Sequence, residues 1–417
     1  MTVLRAVLNG SPAPRPQVIT HFQRQLPVYS PLPLGAVWRA ARRVFRSAED
    51  SRPRARELIR ASYAAERVVL TGTGTHALQI ALRAASRLVG GDLTVALPAF
   101  TCFDVAAAAV GAGARIALYD LDPATLAPDL DSLALTLAGG ARIVVAAPLY
   151  GIPIDWEALE ACTAPFGAVI IEDAAQGHGA RWRGRPLGSL GPLSVLSFGR
   201  GKGWTGGAGG ALLLHRQSDR GARDDAMSPP FLEPGIRSEW RVLLGATAQS
   251  ALARPSLYSL PASVPWLHLG ETRYHAPARP AGMTRTAAAL LDITHDVAMR
   301  ESVMRRANAE FLLERIPCGE RVGVPSGSVP GYLRLPVRTP RGLAGFRDPA
   351  AAFRWGIMRS YPSTLAMLRP VQQRLTQFSR WPGAEDLVRQ LITLPTHSLL
   401  KARDRETLVR ILETKRS

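Results

Sequence analysis

The chain has 417 residues, 47% of them hydrophobic and 20% charged, which excludes a disordered chain and supplies apolar surface for a large core and two domains. Its net charge of +18 comes from 51 basic against 33 acidic residues. The excess is arginine spread along the chain with no basic run interleaved with aromatics, so no nucleic acid is expected as a partner and the charge reads as compositional bias. Cys102, Cys162 and Cys318 form no CxxC pair, which excludes a disulfide framework and points to a cytoplasmic setting.

Met1 to Ser11 lacks a basic stretch followed by an apolar run of signal-peptide length. No uninterrupted apolar segment reaches about 18 residues, so no transmembrane helix is expected. Residues 1–55 are rich in Pro and Arg, with a short helical stretch near Gly35 to Phe45, and read as an arm packed on the main body.

From Ala64 onward, strand and helix alternate. Arg67 to Leu70, Leu93 to Leu97, Arg115 to Tyr119, Arg142 to Ala147, Ala168 to Ile171, Ser194 to Phe198 and Ala211 to Leu214 are short apolar runs. Helical spacing is found at Thr75 to Leu88, Asp104 to Val110, Asp129 to Leu137 and Asp155 to Thr163. Strands apolar on both faces and separated by helices predict an α/β domain, 56–216, with a mostly parallel sheet. Residues 217–282 break the rhythm with prolines, the aromatics Trp240, Tyr258, Trp266 and Tyr274, and a helix-like piece from Val242 to Ala253. This stretch reads as an irregular connection; a substrate lid or a membrane-touching element is the sharper alternative. Residues 283–417 return to helix (Thr284 to Glu314), short strands and a last helix near Arg403 to Thr414, a smaller α+β domain.

One segment carries the chemistry. The apolar run Ala168 to Ile171 ends in Glu172 and Asp173, and after a second apolar run Lys202 sits among glycines in GRGKGWTGGAGGA. Pyridoxal phosphate needs an amine, a carboxylate at its ring nitrogen, a phosphate cradle and something flat or apolar on its ring face. Asp173, at the end of a parallel strand, lies where α/β proteins bind ligands, and Glu172 is expected on the opposite face. Thr73-Gly74-Thr75, between a strand and a helix, supplies free N–H groups and hydroxyls for a phosphate. Each feature also has a plain reading: a loop lysine, an exposed acid, an ordinary N-cap. His76 and His178 fit a core role as well as a catalytic one. No HExxH or paired histidine spacing occurs, so no metal is expected.

In combination and in order, these pieces resemble the DegT/DnrJ/StrS-type sugar aminotransferases, fold-type I enzymes that use pyridoxal 5'-phosphate. The resemblance runs through TGTHALQIALRA, LPAFTCFDVAAAAVGAGARIALYDLDPATLAPD, APLYGIPIDWEAL and IEDAAQGHGARWRGRPLGSLGPLSVLSFGRGKGWTGGAGGALL, then the SYP of Ser360 to Pro362 and LPTHSLLKARDRETLVRIL. It implies a large domain with a seven-stranded sheet flanked by helices and a homodimer. Lys202 is then the Schiff-base lysine, Asp173 the partner of the pyridine nitrogen and Gln176 a contact at the cofactor's phenolic edge. Thr73, Gly74, Thr75 and Ser197 would hold the phosphate. Where the family stacks an aromatic on the ring this chain has Cys102, followed by Phe103, and Ser360 replaces a common histidine. The resemblance implies small-molecule substrates: transfer of an amino group from an amino acid, glutamate, to a keto sugar on a nucleotide in surface polysaccharide or secondary-metabolite synthesis. Elimination on a sugar or lipid-linked substrate, and a non-catalytic relative, are the alternatives.

Overall fold

The computed structural model describes residues 24–90, 93–215, 232–254, 257 and 272–414. Nine strands build the first half of the chain: β1 (Arg67–Thr71), β2 (Thr94–Pro98), β3 (Arg115–Tyr119), β4 (Ile143–Ala146), β5 (Val169–Asp173), the short hairpin β6 (Arg181–Trp182) and β7 (Arg185–Pro186), β8 (Leu193–Ser197) and β9 (Gly210–Leu214). Seven of them form one sheet in the order β1-β9-β8-β5-β4-β2-β3. Only β9 runs against its neighbours β1 and β8. The fold is α/β, with the mostly parallel sheet that the apolar runs predict and the seven strands that the resemblance implies.

Alternation along the strands divides the buried side chains between two cores. Val95, Leu97, Ile116, Leu118, Ile143 and Val145 face one side, with the helices Gly74–Val89 and Phe103–Ala112. Ala96, Ala117, Tyr119, Val144 and Ala146 face the other, with Arg52–Ser62, Leu130–Ala138 and Trp156–Thr163. The helices start where short polar side chains accept from an N–H three residues on: Thr73 from His76, Asp129 from Ser132 and Asp155 from Ala158. Those caps place each helix just after the C-terminal end of a strand or the turn beyond it.

A 29-residue helix, Arg285–Leu313, ties the two parts of the molecule together. Its first half packs Ala287, Ala288, Leu291 and Ala298 on the large sheet, while Ala309 and Leu312 near its end join the core that also holds the C-terminal residues. Beyond it lie β10 (Ser328–Val329), which pairs with β6, and an antiparallel three-stranded sheet, β11 (Leu335–Arg338), β13 (Leu391–Leu394) and β12 (Met358–Arg359), backed by the helices Pro382–Gln390 and Ala402–Glu413. A smaller α+β region thus follows the large sheet.

The N-terminal arm packs as a helix, Leu34–Ala41, which continues as a π-helical turn to Arg46. Val37, Ala40 and Val44 bury against Leu243, Ala246, Ala289 and Leu290, and Arg43 and Arg54 both pair with Asp292 at 2.6 and 2.8 Å. The helix read as Val242 to Ala253 instead spans Ile236–Ala251. Its start is fixed by Glu239, which folds back to accept from the N–H groups of Arg285 and Thr286, a tertiary contact with no local signal. Met1 to Ser11, Tyr258 and Trp266 lie outside the described residues.

Candidate functional site

A cavity opens at the C-terminal ends of β4, β5 and β8, lined by Ala147, Asp173, Ser197 and Lys202 together with Gly74, Thr75, Cys102 and Gln176. The pleat explains which acid enters it. Ile170 and Glu172 share one face of β5, Ile171 and Asp173 the other. Glu172 is fully buried and accepts from Gly188 N at 2.6 Å, Leu190 N at 2.9 Å and Ser194 Oγ at 2.9 Å. It is the structural carboxylate that holds the β7–β8 connection, on the face away from the cavity. Asp173 borders the cavity, and its Oδ1 accepts from Ala175 N at 3.1 Å. Burial raises its pKa and the Lys202 ammonium lowers it in part. An acid so placed is best stabilised by a cationic partner in the cavity.

Lys202 lies in the loop between β8 and β9, and the body of the protein fixes that loop from two sides. Trp204 is buried, and its Nε1 donates to Leu291 O at 3.1 Å on the long helix. From the other side, Ser30 of the N-terminal arm accepts from Gly201 N at 2.8 Å and donates to Lys202 O at 3.0 Å. Gly201 has φ +84, and a Cβ there would lie 2.7 Å from Val28 Cγ1, so a glycine lets the arm close on the loop. The Lys202 backbone is thus held by Ser30, 172 positions away in sequence.

The cradle is built by close approach. An added Cβ on Gly74 would lie 2.7 Å from Ser197 Cβ, so the N-terminus of Gly74–Val89 abuts the end of β8. The Thr75 and Ser197 side chains border the cavity there and make no hydrogen bond to the protein among the described residues. Free helix N–H groups, the helix dipole and two unpartnered hydroxyls make an anion site. Thr73 does not share it: its Oγ1 accepts from His76 N at 3.1 Å as the helix cap.

One further expectation is corrected. Phe103 is not on the cavity wall; as the first residue of Phe103–Ala112 it is 4% exposed and points into the apolar core. Cys102 does border the cavity, and burial pushes its thiol up to about 12, so it presents a neutral sulfur. His178 packs near Tyr63 and Trp204, and burial pulls it down to about 3, so it stays neutral. His76 Nδ1 accepts from Ala281 N at 3.3 Å. Neither histidine borders the cavities described here.

Beyond Lys202 and Gln176 the cavity widens into a chamber of about 590 Å³. Its walls bring in Tyr29 from the arm, Arg305 and Arg334, which lie in none of the quoted motifs, and Tyr150, Tyr361 and His397, which lie in them without an assigned role. Thr272, Arg273 and His275 bring the end of the connecting segment to the same wall. Gln176 organises one side: its Oε1 accepts from Tyr150 N at 2.8 Å and its Nε2 donates to Tyr361 OH at 2.8 Å. Tyr150 holds φ +57, a left-handed conformation rare for an aromatic residue, and its hydroxyl pairs with Ser360 Oγ. Ser360 itself borders neither cavity and reaches the wall through its bond to Tyr150. No group of histidine, cysteine and acidic residues among the described residues is arranged to hold a metal ion.

Residues 55–220 match the DegT/DnrJ/EryC1/StrS aminotransferase family. The 3-amino-5-hydroxybenzoate synthase of Amycolatopsis mediterranei is 34% identical over 154 residues, 37% of this chain and 39% of that protein. The L-glutamine:2-deoxy-scyllo-inosose aminotransferase of Streptoalloteichus tenebrarius is 35% identical over 147 residues, 35% of this chain and 34% of that protein. These matches span under two-fifths of the length of either relative. The crystal structure of a DegT DnrJ EryC1 StrS aminotransferase from Brucella abortus, 20% identical, superimposes with a TM-score of 0.70 over 91% of this chain and 95% of that one. The chain therefore has the fold-type I architecture along nearly its full length.

Proposed function

We propose that this chain, whose residues 55–220 match the DegT/DnrJ/EryC1/StrS aminotransferase family, moves an amino group from an amino acid, glutamate or glutamine, to the ketone of a sugar or similar hydroxylated ring. The observation that carries this reading is one cavity bordered by Lys202, Asp173 and the two unpartnered hydroxyls at the N-terminus of Gly74–Val89. Pyridoxal phosphate is the cofactor of this family, and the residues present fit it. Thr75, Ser197 and the N–H groups of the helix would hold the phosphate. Asp173 would hold a proton at the ring nitrogen, and Gln176 would meet the phenolic edge. Cys102 would lie against the ring in place of an aromatic.

When bound, the cofactor supplies a carbonyl that takes and returns an amino group, and a ring that withdraws electrons. Lys202 Nζ is the amine that would attach it. Once free, the same amine would act as the general base that takes the proton from the donor's Cα and delivers it to the carbon on the other side of the transferred nitrogen. Asp173 would sustain the ring's positive charge, since its second oxygen accepts no hydrogen bond among the described residues. The clamp from Ser30 and Trp204 keeps the amine in reach, and Tyr150 and Tyr361 wall the chamber with ring centroids 6.3 Å apart, Tyr361 being backed by buried Phe100 at 5.2 Å.

The finer setting is part of the same proposal: a nucleotide-linked acceptor, surface polysaccharide or secondary-metabolite synthesis, the cytoplasm and a homodimer. No helix of the described residues is long and apolar enough to cross a membrane. The three cysteines are free, which supports a reducing compartment. Leu34 and Trp38 on one helix, and Ile236, Trp240 and Leu244 on its neighbour, are exposed, which supports a covered face in a dimer. The test is spectroscopic. Protein loaded with pyridoxal phosphate is expected to absorb visible light, and glutamate or glutamine should convert that band to the amine form. A loaded protein that no amino acid converts would refute the transfer and favour elimination.

A further inference from the structure

Two charged side chains inside the molecule have no part in the chemistry described so far. Glu301 and Arg305 lie one turn apart on the long helix Arg285–Leu313, paired at 3.3 Å, and the side chain of each is 3% exposed. Taking two charges out of water is costly, and apolar side chains of similar volume often hold a fold as well or better. The contacts of the pair show what it orients instead.

Both charges hold the N-terminal arm where Pro27, Val28 and Tyr29 cross the chamber wall. Arg305 Nη2 donates to Tyr29 O at 2.8 Å. Glu301 Oε1 accepts from Ser398 N at 3.1 Å, and the preceding residue, His397, donates from Nε2 to Leu26 O at 3.0 Å. Two carbonyls of the arm are thus fixed from the long helix, one directly and one through the C-terminal turn. The Tyr29 carbonyl and the Ser30 N–H share one planar peptide unit, so the bond that fixes Tyr29 O also fixes the direction in which the chain enters Ser30. Ser30 Oγ in turn holds Gly201 N at 2.8 Å and Lys202 O at 3.0 Å. Arg305 meets the lysine loop from the far side as well. A Cβ added at Gly203 would lie 3.3 Å from Arg305 Nη1 and 2.8 Å from His178 Cβ, so the loop lies flat on both side chains. One guanidinium therefore bears on both sides of Lys202, and its planar fork lets it serve Glu301, Tyr29 and Gly203 together.

We propose that Arg305, held by Glu301, is a positioning residue for Lys202: it sets the arm and the lysine loop against each other and so fixes where the amine stands in the cavity. This rests on the aminotransferase reading of the same cavity. Arg305 borders the chamber, but it acts on the amine through the arm and the loop, not on the substrate.

The test compares two variants with the wild type, each loaded with pyridoxal phosphate. Arg305→Lys keeps the charge beside Glu301 but loses the fork that also reaches Tyr29 O. Arg305→Met with Glu301→Leu removes both charges and keeps apolar bulk, so its Tm should stay near that of the wild type. In both, hydrogen exchange of the peptide holding Gly201 and Lys202 should quicken about tenfold while β4 stays protected. Turnover should show the same displacement: kcat about 10- to 100-fold lower, with KM for whichever of glutamate and glutamine the wild type converts changed much less. If the double variant is unstable, Arg305→Lys decides by the same readings. Wild-type exchange at Gly201, or wild-type kcat, in a folded variant would overturn the proposal. So would a KM that rises as far as kcat falls, which would make Arg305 a ligand of the substrate. Exchange needs no transfer, so lost protection in the variants of a protein whose wild type converts no amino acid would refute the aminotransferase reading alone.

Discussion

Gly74→Ala tests the phosphate cradle at the point of closest approach. The new methyl would lie 2.7 Å from Ser197 Cβ and 3.0 Å from Ser197 Oγ, with Ser197 Cα at 3.3 Å. Non-bonded carbons settle near about 3.5–4.0 Å, so the overlap is roughly an ångström between a helix start and a strand end, neither of which is a flexible side chain. Overpacking of this kind costs about 1–3 kcal/mol, and the Thr75 and Ser197 hydroxyls must separate to relieve it. If the cost falls on the bound state, pyridoxal phosphate should bind about 5- to 150-fold more weakly, read as a titration of the visible band. The geometry also sets a rescue pattern. Ser197→Ala keeps the Cβ at 2.7 Å and should not rescue; Ser197→Gly removes it and should relieve the packing defect, read as recovered thermal stability. Wild-type cofactor affinity in Gly74→Ala would refute the cradle.

Other expectations follow from the same geometry. Ser30→Ala removes both hydrogen bonds that tie the arm to the lysine loop, about 2 kcal/mol at roughly 1 kcal/mol each, and should cut turnover more than it lowers Tm; unchanged turnover would mean that the arm does not position Lys202. Glu172→Gln leaves an amide where a buried carboxylate accepts three hydrogen bonds, so a loss of a few kcal/mol, on the order of 2–4, is expected in chemical denaturation, and no loss would contradict its structural role. The Cys102 thiol, pushed up to about 12 by burial, is only about one part in ten thousand thiolate at pH 8; because the thiolate forms only as pH rises toward that value, exposed Cys318 should react with a thiol reagent at pH 8 and Cys102 only after unfolding. Trp38→Glu with Trp240→Glu charges the exposed apolar face and should halve the mass in light scattering; an unchanged mass would place the dimer face elsewhere.

How far the sequence discloses this site depends on distance along the chain. The sheet is legible because buried parallel strands leave apolar runs such as Ile143–Ala146, whose two faces feed two cores. Asp173 and Glu172 separate by the pleat alone, and the Thr73 junction shows its helix start in its residues. The wall of the chamber is different. Ser30 meets Lys202, and Arg334 meets Thr393 and Gly356, through contacts that span from tens to over a hundred residues. No local pattern marks them. Phe103 misled because adjacency to Cys102 says nothing about direction: one step into a helix turns the side chain toward the core. The left-handed turn of Tyr150 left no trace either, since glycine, the usual residue for it, follows at Gly151.

The central claim is that Lys202 carries the cofactor. Protein loaded with pyridoxal phosphate, reduced with borohydride, digested and sequenced by mass spectrometry is predicted to bear the reduced cofactor on the peptide containing Lys202, and Lys202→Ala to bear none. Label on another lysine, or label retained in Lys202→Ala, would contradict the account.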